Sequence, residues 1–235
     1  MLNGVTRDTA ALLVCAGNAT RMGGIHKILH PLGSSTVLAH ILQTVCACDR
    51  IAEVIVICRQ QDTAEFEAAL ETRAFPIPIR IVTGGSTRQE SVRNGFAAIR
   101  SACTWVAIHD GARPLLRLDD FARVIADAEE TDAASLGVPV KDTIKTVKDG
   151  IITDTPERSA LWLTQTPQVF RRTLYAAAME KAEADGKDYT DDCQLVEALN
   201  RKVRMTAGSY DNIKLTTTED FAIAEALLRL QQTED

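Results

Sequence analysis

The sequence predicts an α/β protein built on a mainly parallel sheet with helices on both faces. Two observations carry this. Strand-like and helix-like patterns alternate almost throughout the 235 residues. The strand-like runs are short and apolar, and helical patterns of about ten to fifteen residues separate them, as parallel crossovers require.

The first run, Ala10 to Val14, is short enough to be a buried strand, and a small-residue loop from Cys15 to Lys27 follows it. Thr36 to Ala47 then places Val37, Leu38, Ile41, Leu42 and Val45 on one helical face. Glu53 to Cys58 is a β-branched strand, and Asp62 with Glu65 is a capping signal for a helix ending near Thr72. Pro78 to Val82 is a strand running into Thr83-Gly84-Gly85. Thr87 and Glu90 cap the next helix, which carries Val92, Phe96 and Ile99. Trp105 to His109 is a strand, Leu118 to Glu130 a helix, and Ala133 to Val140 a further strand.

The alternation breaks at Lys141. Thr143 to Val147 and Ile151 to Thr155 flank an Asp149-Gly150 turn, the pattern of a hairpin. A lone hairpin is marginal in water, so it packs either on its own domain or on a second subunit. Its apolar stripe and its emergence from an α/β body favour the second, an isologous dimer. Gln165 to Phe170 is extended, Arg171 to Ala184 helical, and Thr190 opens a helix to Leu199. Val203 to Thr206 is a strand, and Thr216 with Glu219 caps a last helix with Phe221, Ala224, Leu227 and Leu228 inward. No repeat or linker interrupts the chain, so it reads as one domain over 1–235 with an arm at about 141–158.

Composition narrows the functions. The apolar fraction of 46% and charged fraction of 25% are those of a globular protein, and the net charge is −6. No basic block is present, which argues against nucleic acid or a membrane surface as partner. No apolar run approaches spanning length, and no secretory signal pattern opens the sequence, so a cytoplasmic location is expected. The cysteines sit in apolar settings without a C-x-x-C, and helical geometry would point Cys46 and Cys48 apart; all read as reduced packing residues.

In open parallel sheets, ligands bind beyond the carboxyl ends of the strands. Here those ends deliver Gly17, Arg21 and Lys27; then Gly84, Gly85, Ser86 and Arg88; then Asp110, Gly111 and Arg113. Glycines permit close backbone approach to an anion, and the cations can neutralise a polyphosphate. The loop contains neither G-x-G-x-x-G nor G-K-[ST], and by itself it is as compatible with a plain connector as with an anion cradle. The three strand ends together suit a nucleoside triphosphate with Mg²⁺, for which Asp110 is the first carboxylate and Asp211 a second. His109 reads as a buried strand-end residue with local hydrogen bonds, Asp191 and Asp192 as helix-start charges, and Asp211 alternatively as a turn former.

These segments, followed by Asp142-Thr-Ile-Lys145, Gln165-Thr-Pro-Gln168, Thr190-Asp-Asp192 and Asp211-Asn-Ile-Lys214, closely resemble the 2-C-methyl-D-erythritol 4-phosphate cytidylyltransferase family over essentially the whole chain. The resemblance implies a Rossmann-like, three-layer αβα nucleotidyltransferase fold with a protruding β-arm and a homodimer. It implies transfer of CMP from CTP to the methylerythritol phosphate, with Mg²⁺ as cofactor. Arg21, Lys27 and Lys214 fall on catalytic positions, and Ala16, Gly17, Gly84, Gly85, Ser86, Arg88, Ser91 and Asp110 on the CTP site. Gly111, Arg113, Thr143, Arg158, Thr166 and Thr190 match acceptor contacts, Thr143 and Arg158 reaching across the dimer. The loop departs from the family pattern at Cys15, Ala19 and His26, and Ser86 stands where an acidic residue is common. Two alternatives are a ribitol 5-phosphate cytidylyltransferase, which shares most of these motifs, and a non-catalytic nucleotide-binding paralogue, motivated by Ala19 and Ser86.

Overall fold

The computed structural model describes residues 6–17 and 27–234. A seven-stranded sheet runs through them in the order β11-β7-β10-β6-β1-β4-β5. Its strands are β1 (Thr9–Val14), β4 (Ile51–Cys58), β5 (Ile79–Thr83), β6 (Trp105–Asp110), β7 (Ala133–Pro139), β10 (Trp162–Arg171) and β11 (Arg204–Ala207). β1 pairs in parallel with β4 and β6, β4 with β5, and β7 with β11. β10 alone runs antiparallel, between β6 and β7. The mainly parallel α/β architecture expected from the alternation is therefore present.

Both faces of the sheet are covered, which explains why the strands read as continuous apolar runs rather than alternating ones. Ala11, Leu13, Val54 and Val56 face α1 (Val37–Ala47), α2 (Thr63–Glu71), α4 (Leu118–Thr131) and α7 (Thr218–Glu234). Leu12, Ile55, Ile57, Val106 and Ile108 face α3 (Arg88–Ala97), α5 (Arg172–Ala184) and α6 (Asp192–Glu197). Alternate residues of one strand thus enter opposite cores, the consequence of a two-residue side-chain period. A small antiparallel pair, β2 (Pro31–Leu32) with β3 (Ser35–Thr36), leads into α1; the sequence reading had no signal for it.

Of the three capping signals in the sequence, the one at Thr87 forms and two do not form as expected. Thr36 caps α1 and Thr87 caps α3, each hydroxyl accepting from an amide three residues on, at 3.2 and 3.1 Å. Asp62 precedes α2 but makes no capping bond, because Arg59 holds its carboxylate at 2.6 and 3.0 Å. At α7 the capping acid is Asp220 rather than Glu219: one Asp220 oxygen accepts from the amides of Thr216 and Thr217 at 2.6 and 2.8 Å. The carboxylate sits three to four residues after the free amides, as helical geometry demands, and the helix starts later than expected.

The hairpin forms as β8 (Thr146–Lys148) and β9 (Ile151–Asp154), joined by Asp149 and Gly150 with φ of 50° and 79°. Positive φ at both turn residues is what the Asp-Gly pair permits. Every residue from 141 to 155 is exposed, so the hairpin does not rest on its own body. Val147, Ile151 and Ile152 are 54%, 69% and 59% exposed, an apolar stripe left open in a single chain.

One buried charge pins the sheet to the loop after α3. Glu53 on β4 accepts from the amides of Arg100 and Ser101 at 3.0 and 2.7 Å, and also binds the Ser101 hydroxyl and Arg80. Burial raises its carboxyl, but these bonds outweigh burial and hold it below the usual carboxylate range. The stabilisation is therefore complete above the unfolded value of about 4.3 and is lost as pH falls through the lower folded value. Glu53→Ala is expected to lower unfolding stability by about 3 kcal/mol at pH 7, with the gap narrowing at acid pH. Urea unfolding at both pH values measures this, and a pH-independent difference would contradict it.

Candidate active site

The carboxyl ends of β1, β4, β5 and β6 meet at a cavity of about 660 Å³. Ala16 and Gly17 enter its wall from β1, Thr83 from β5 and Asp110 from β6. The crevice beyond parallel strand ends is where an open α/β sheet binds ligands. Of the expected site residues, Ala16, Gly17, Lys27, Gly84, Gly85, Ser86, Arg88, Ser91, Asp110 and Lys214 line this cavity. Arg21, with the departures at Ala19 and His26, lies outside the described residues.

The glycine turn after β5 is built by close packing. A Cβ on Gly84 would lie 2.7 Å from the Ala16 side chain and 2.8 Å from the Ser91 hydroxyl, so only glycine fits between β1 and α3. The Gly85 amide donates to Ser91 Oγ at 3.0 Å, and that hydroxyl donates to the Thr87 carbonyl at 2.8 Å. Ser86 donates its amide and hydroxyl to Glu90 at 2.7 and 2.6 Å. The turn is thereby fixed to α3, whose N-terminal end reaches the cavity through Arg88 and Ser91. A helix N-terminus beside a cavity favours an anionic occupant.

Asp110 is the electrostatic centre. Its carboxylate lies 2.8 Å from Lys214 Nζ, 3.7 Å from Arg88 and 3.7 Å from Arg113. Burial by itself would raise this carboxyl, yet Lys214, Arg88 and Arg113 together hold it well below the ordinary range. It is an anion at any working pH. The cations around it exceed its single charge, which leaves the site suited to a polyanion.

A set of polar residues aims these groups. The Asp110 amide donates to Thr166 Oγ1 at 3.0 Å, and the same hydroxyl contacts His109 Nδ1 at 3.0 Å. Thr166, expected at the acceptor, is thus 5% exposed and holds the backbone under Asp110. Arg113 donates to the Asn212 carbonyl at 2.7 Å, and its Nε is buried without a hydrogen-bond partner. Asn212 in turn donates to Gln165 and to the Thr166 carbonyl at 3.1 and 2.9 Å. The Leu215 amide donates to the Ala112 carbonyl at 2.8 Å, and Lys27 donates to the Leu215 carbonyl at 3.3 Å. The segment 211–216 is therefore sewn to the end of β6 and carries Lys214 to Asp110. At Gly111 a Cβ would sit 2.4 Å from Cys15 Sγ, which seals the turn against β1.

Other expected positions lie apart. Thr143 is exposed on the arm, and Arg158, exposed at its base, donates to the Lys141 carbonyl at 3.0 Å. Thr190 contacts Gln194 at 3.2 Å outside the cavity wall. Asp211 does not join Asp110: Arg117 occupies its carboxylate and it is absent from the wall, so the two expected metal carboxylates are not brought together. Among the described residues no group of three or more His, Cys, Asp or Glu side chains forms a metal cage. A magnesium ion here would rest on Asp110 alone and take its remaining ligands from phosphate oxygens and water, an arrangement Mg²⁺ accepts.

Three contributions escaped the sequence reading. Arg59 and Gln60 leave β4 and line the cavity; the position of β4 next to β1 and β5 was the only available signal. Asp191 caps α6 by accepting from Gln194 at 3.0 Å, and Asp192, the first residue of α6, is more than a helix-start charge. Asp192 is 1% exposed and receives Arg88 at 2.6 Å.

Seven mixed strands between helical layers, with glycine turns and clustered cations at the parallel ends, define a nucleotidyltransferase-type site. The family model for 2-C-methyl-D-erythritol 4-phosphate cytidylyltransferase matches residues 9–230, and the chain belongs to that family. A curated relative of that name from Caldanaerobacter subterraneus is 41% identical over 225 residues, covering 94% of this chain and 99% of the relative. Another from Syntrophotalea carbinolica is 44% identical, covering 92% and 94%. The solved 4-diphosphocytidyl-2C-methyl-D-erythritol synthase from Anaerococcus prevotii superposes with a TM-score of 0.84 at 33% identity, covering 95% of this chain and 99% of that one.

His109 is 1% exposed, and burial drives its pKa down to about 4. Because the folded value is below the unfolded one near 6.5, its contribution to stability is full above pH 6.5 and declines as pH falls toward 4. Imidazole NMR is expected to show His109 neutral from pH 5.5 to 8. A midpoint inside that window would refute the buried neutral assignment.

Proposed function

We propose that the chain transfers the cytidylyl group of CTP to 2-C-methyl-D-erythritol 4-phosphate and releases pyrophosphate. The observation that carries this is the convergence of Lys214, Arg88 and Arg113 on Asp110, a carboxylate of the strand-end cavity, in a member of that family. The acceptor phosphate is already anionic at neutral pH, so no protein nucleophile or general base is required. One of its oxygens bonds to the α-phosphorus while the bridge to the β-phosphate breaks, and the electron pair leaves with pyrophosphate. The barrier is then mainly the repulsion and alignment of two anions. At about 4 Å a charge pair is worth roughly 4 kcal/mol at an effective dielectric near 20, so a few fixed cations supply a large share of the acceleration.

Lys27 and Lys214 are well situated for this, since both are tied to the segment around Leu215 and line the same cavity. Arg21 joins them in the proposal as a further cation. The turn from Gly84 to Ser91 would take the nucleoside, and Arg113, whose buried Nε has no hydrogen-bond partner and lies 3.7 Å from Asp110, the acceptor. Asp110 would hold Mg²⁺, whose chemistry is to draw off charge from the triphosphate oxygens. The buried free cysteines support residence in a reducing cytoplasm, and no described helix is long and apolar enough to cross a membrane.

The proposed assembly is a homodimer that covers the arm. Its support is the exposed stripe of Val147, Ile151 and Ile152, with Thr143 and Arg158 standing away from the cavity of their own chain. In this reading those two residues serve the partner's acceptor.

Lys27→Ala is expected to reduce kcat by at least about a hundredfold with an unchanged circular-dichroism spectrum. Pyrophosphate release with CTP and Mg²⁺, comparing methylerythritol phosphate with ribitol 5-phosphate, tests the acceptor. Preference for ribitol phosphate, or no release with either, would overturn the assignment. Ile152→Asp is expected to shift the protein from dimer to monomer by light scattering and to lower activity together with assembly; a dimer that persists would refute the arm interface.

A further inference from the structure

We propose that Asp192 and Tyr175, neither of which lines the cavity, are positioning residues that hold Arg88 off Asp110. Arg88 lines the cavity and stands between two carboxylates. Its Nη2 is 2.6 Å from Asp192 Oδ2 and 3.7 Å from Asp110 Oδ1. Asp192 therefore takes the hydrogen bond and Asp110 only the longer-range attraction. Lys214 contacts the other Asp110 oxygen at 2.8 Å, and Arg88 faces Oδ1 from beyond hydrogen-bond distance.

The carboxylate that wins is held by its own partners. Asp192 Oδ1 accepts from the Tyr175 hydroxyl at 2.5 Å, and the Asp192 amide donates to Gln168 at 3.1 Å. Tyr175 is 0% exposed, stacked on Phe170 at 5.1 Å and tilted against Phe96 at 5.6 Å. Phe96 belongs to α3, the helix that begins with Arg88. The phenol is thus wedged between β10 and the helix it serves, and a buried hydroxyl needs such a partner. Burial and the adjacent carboxylate push Tyr175 well above its ordinary value, so it remains a donor.

Removing this anchor leaves Arg88 with Asp110 as its ion-pair partner among the described residues. The guanidinium then closes over Oδ1 and competes there with whatever cation the triphosphate brings. The effect falls on nucleotide binding, because Arg113 is held by the Asn212 carbonyl, and Asn212 by the Thr166 carbonyl, rather than by Asp192. This inference rests on the reading of Arg88 as a nucleotide contact.

The test is a double-mutant cycle with separate KM values for CTP and the acceptor, and CTP affinity by calorimetry without acceptor. Asp192→Asn is expected to weaken CTP binding about tenfold with the acceptor KM within about twofold. Tyr175→Phe, which keeps the aromatic packing, should show a smaller shift of the same kind, and Asp192→Glu should recover most of the affinity. In an Arg88→Ala background, Asp192→Asn should have no further effect. Additive effects in that background, or equal losses for both substrates, would overturn the positioning role. An Arg88→Ala variant with normal CTP affinity would instead overturn the reading of Arg88 on which it rests.

Discussion

The site depends on one buried carboxylate kept ionised. Asp110 lies at the end of a central strand, where desolvation opposes its charge, and Lys214, Arg88 and Arg113 surround it. An uncompensated charge there would cost several kcal/mol, so each cation is also a structural tie. Arg88 comes from α3, Arg113 from the turn after β6 and Lys214 from the segment before α7. One anion draws three separate parts of the chain to the same point. The same arrangement leaves surplus positive charge facing the cavity, and this is what a triphosphate meets.

The second constraint is steric. Ala16, Gly84 and Ser91 touch so closely that the turn after β5 has no space for a side chain, and Gly111 fits over Cys15 in the same way. The cavity walls are therefore backbone-rich and preorganised. The hydroxyl of Ser91 bonds both the turn and the helix behind it, and Glu90 bonds Ser86 from outside. Departures such as Cys15 and Ser86 are accommodated without loss of those links. Cys15 is buried, and burial raises its thiol, so it acts as a packing group rather than a nucleophile.

Much of the molecule was legible in advance because the relevant signals are local. β-branched runs such as Glu53 to Cys58, the Thr87 cap and the Asp149-Gly150 turn each report a nearby backbone requirement. The antiparallel direction of β10 was not legible, since an extended segment gives no sign of its polarity in a sheet. Asp192 was misread for a related reason. Its position at a helix start explains an acidic residue well enough, and only the arrival of Arg88 and Tyr175 from distant segments distinguishes it from Asp191. Asp211 differs in the opposite sense: a carboxylate three residues before Lys214 was expected at the metal, and the structure pairs it with Arg117, away from the cavity lining.

The sequence by itself determined the layered α/β class, the strand-end loops and, through its ordered motifs, the cytidylyltransferase family. These follow from periodicity and from residue types at fixed spacing, which survive without knowledge of contacts. Tertiary structure decided which charges meet. It set Lys214 on Asp110, divided Arg88 between two carboxylates, and made Thr166 a support for backbone rather than an open contact. It also left the arm uncovered in a single chain. Ion pairing and burial depend on distances between residues a hundred positions apart, and no local pattern encodes those distances.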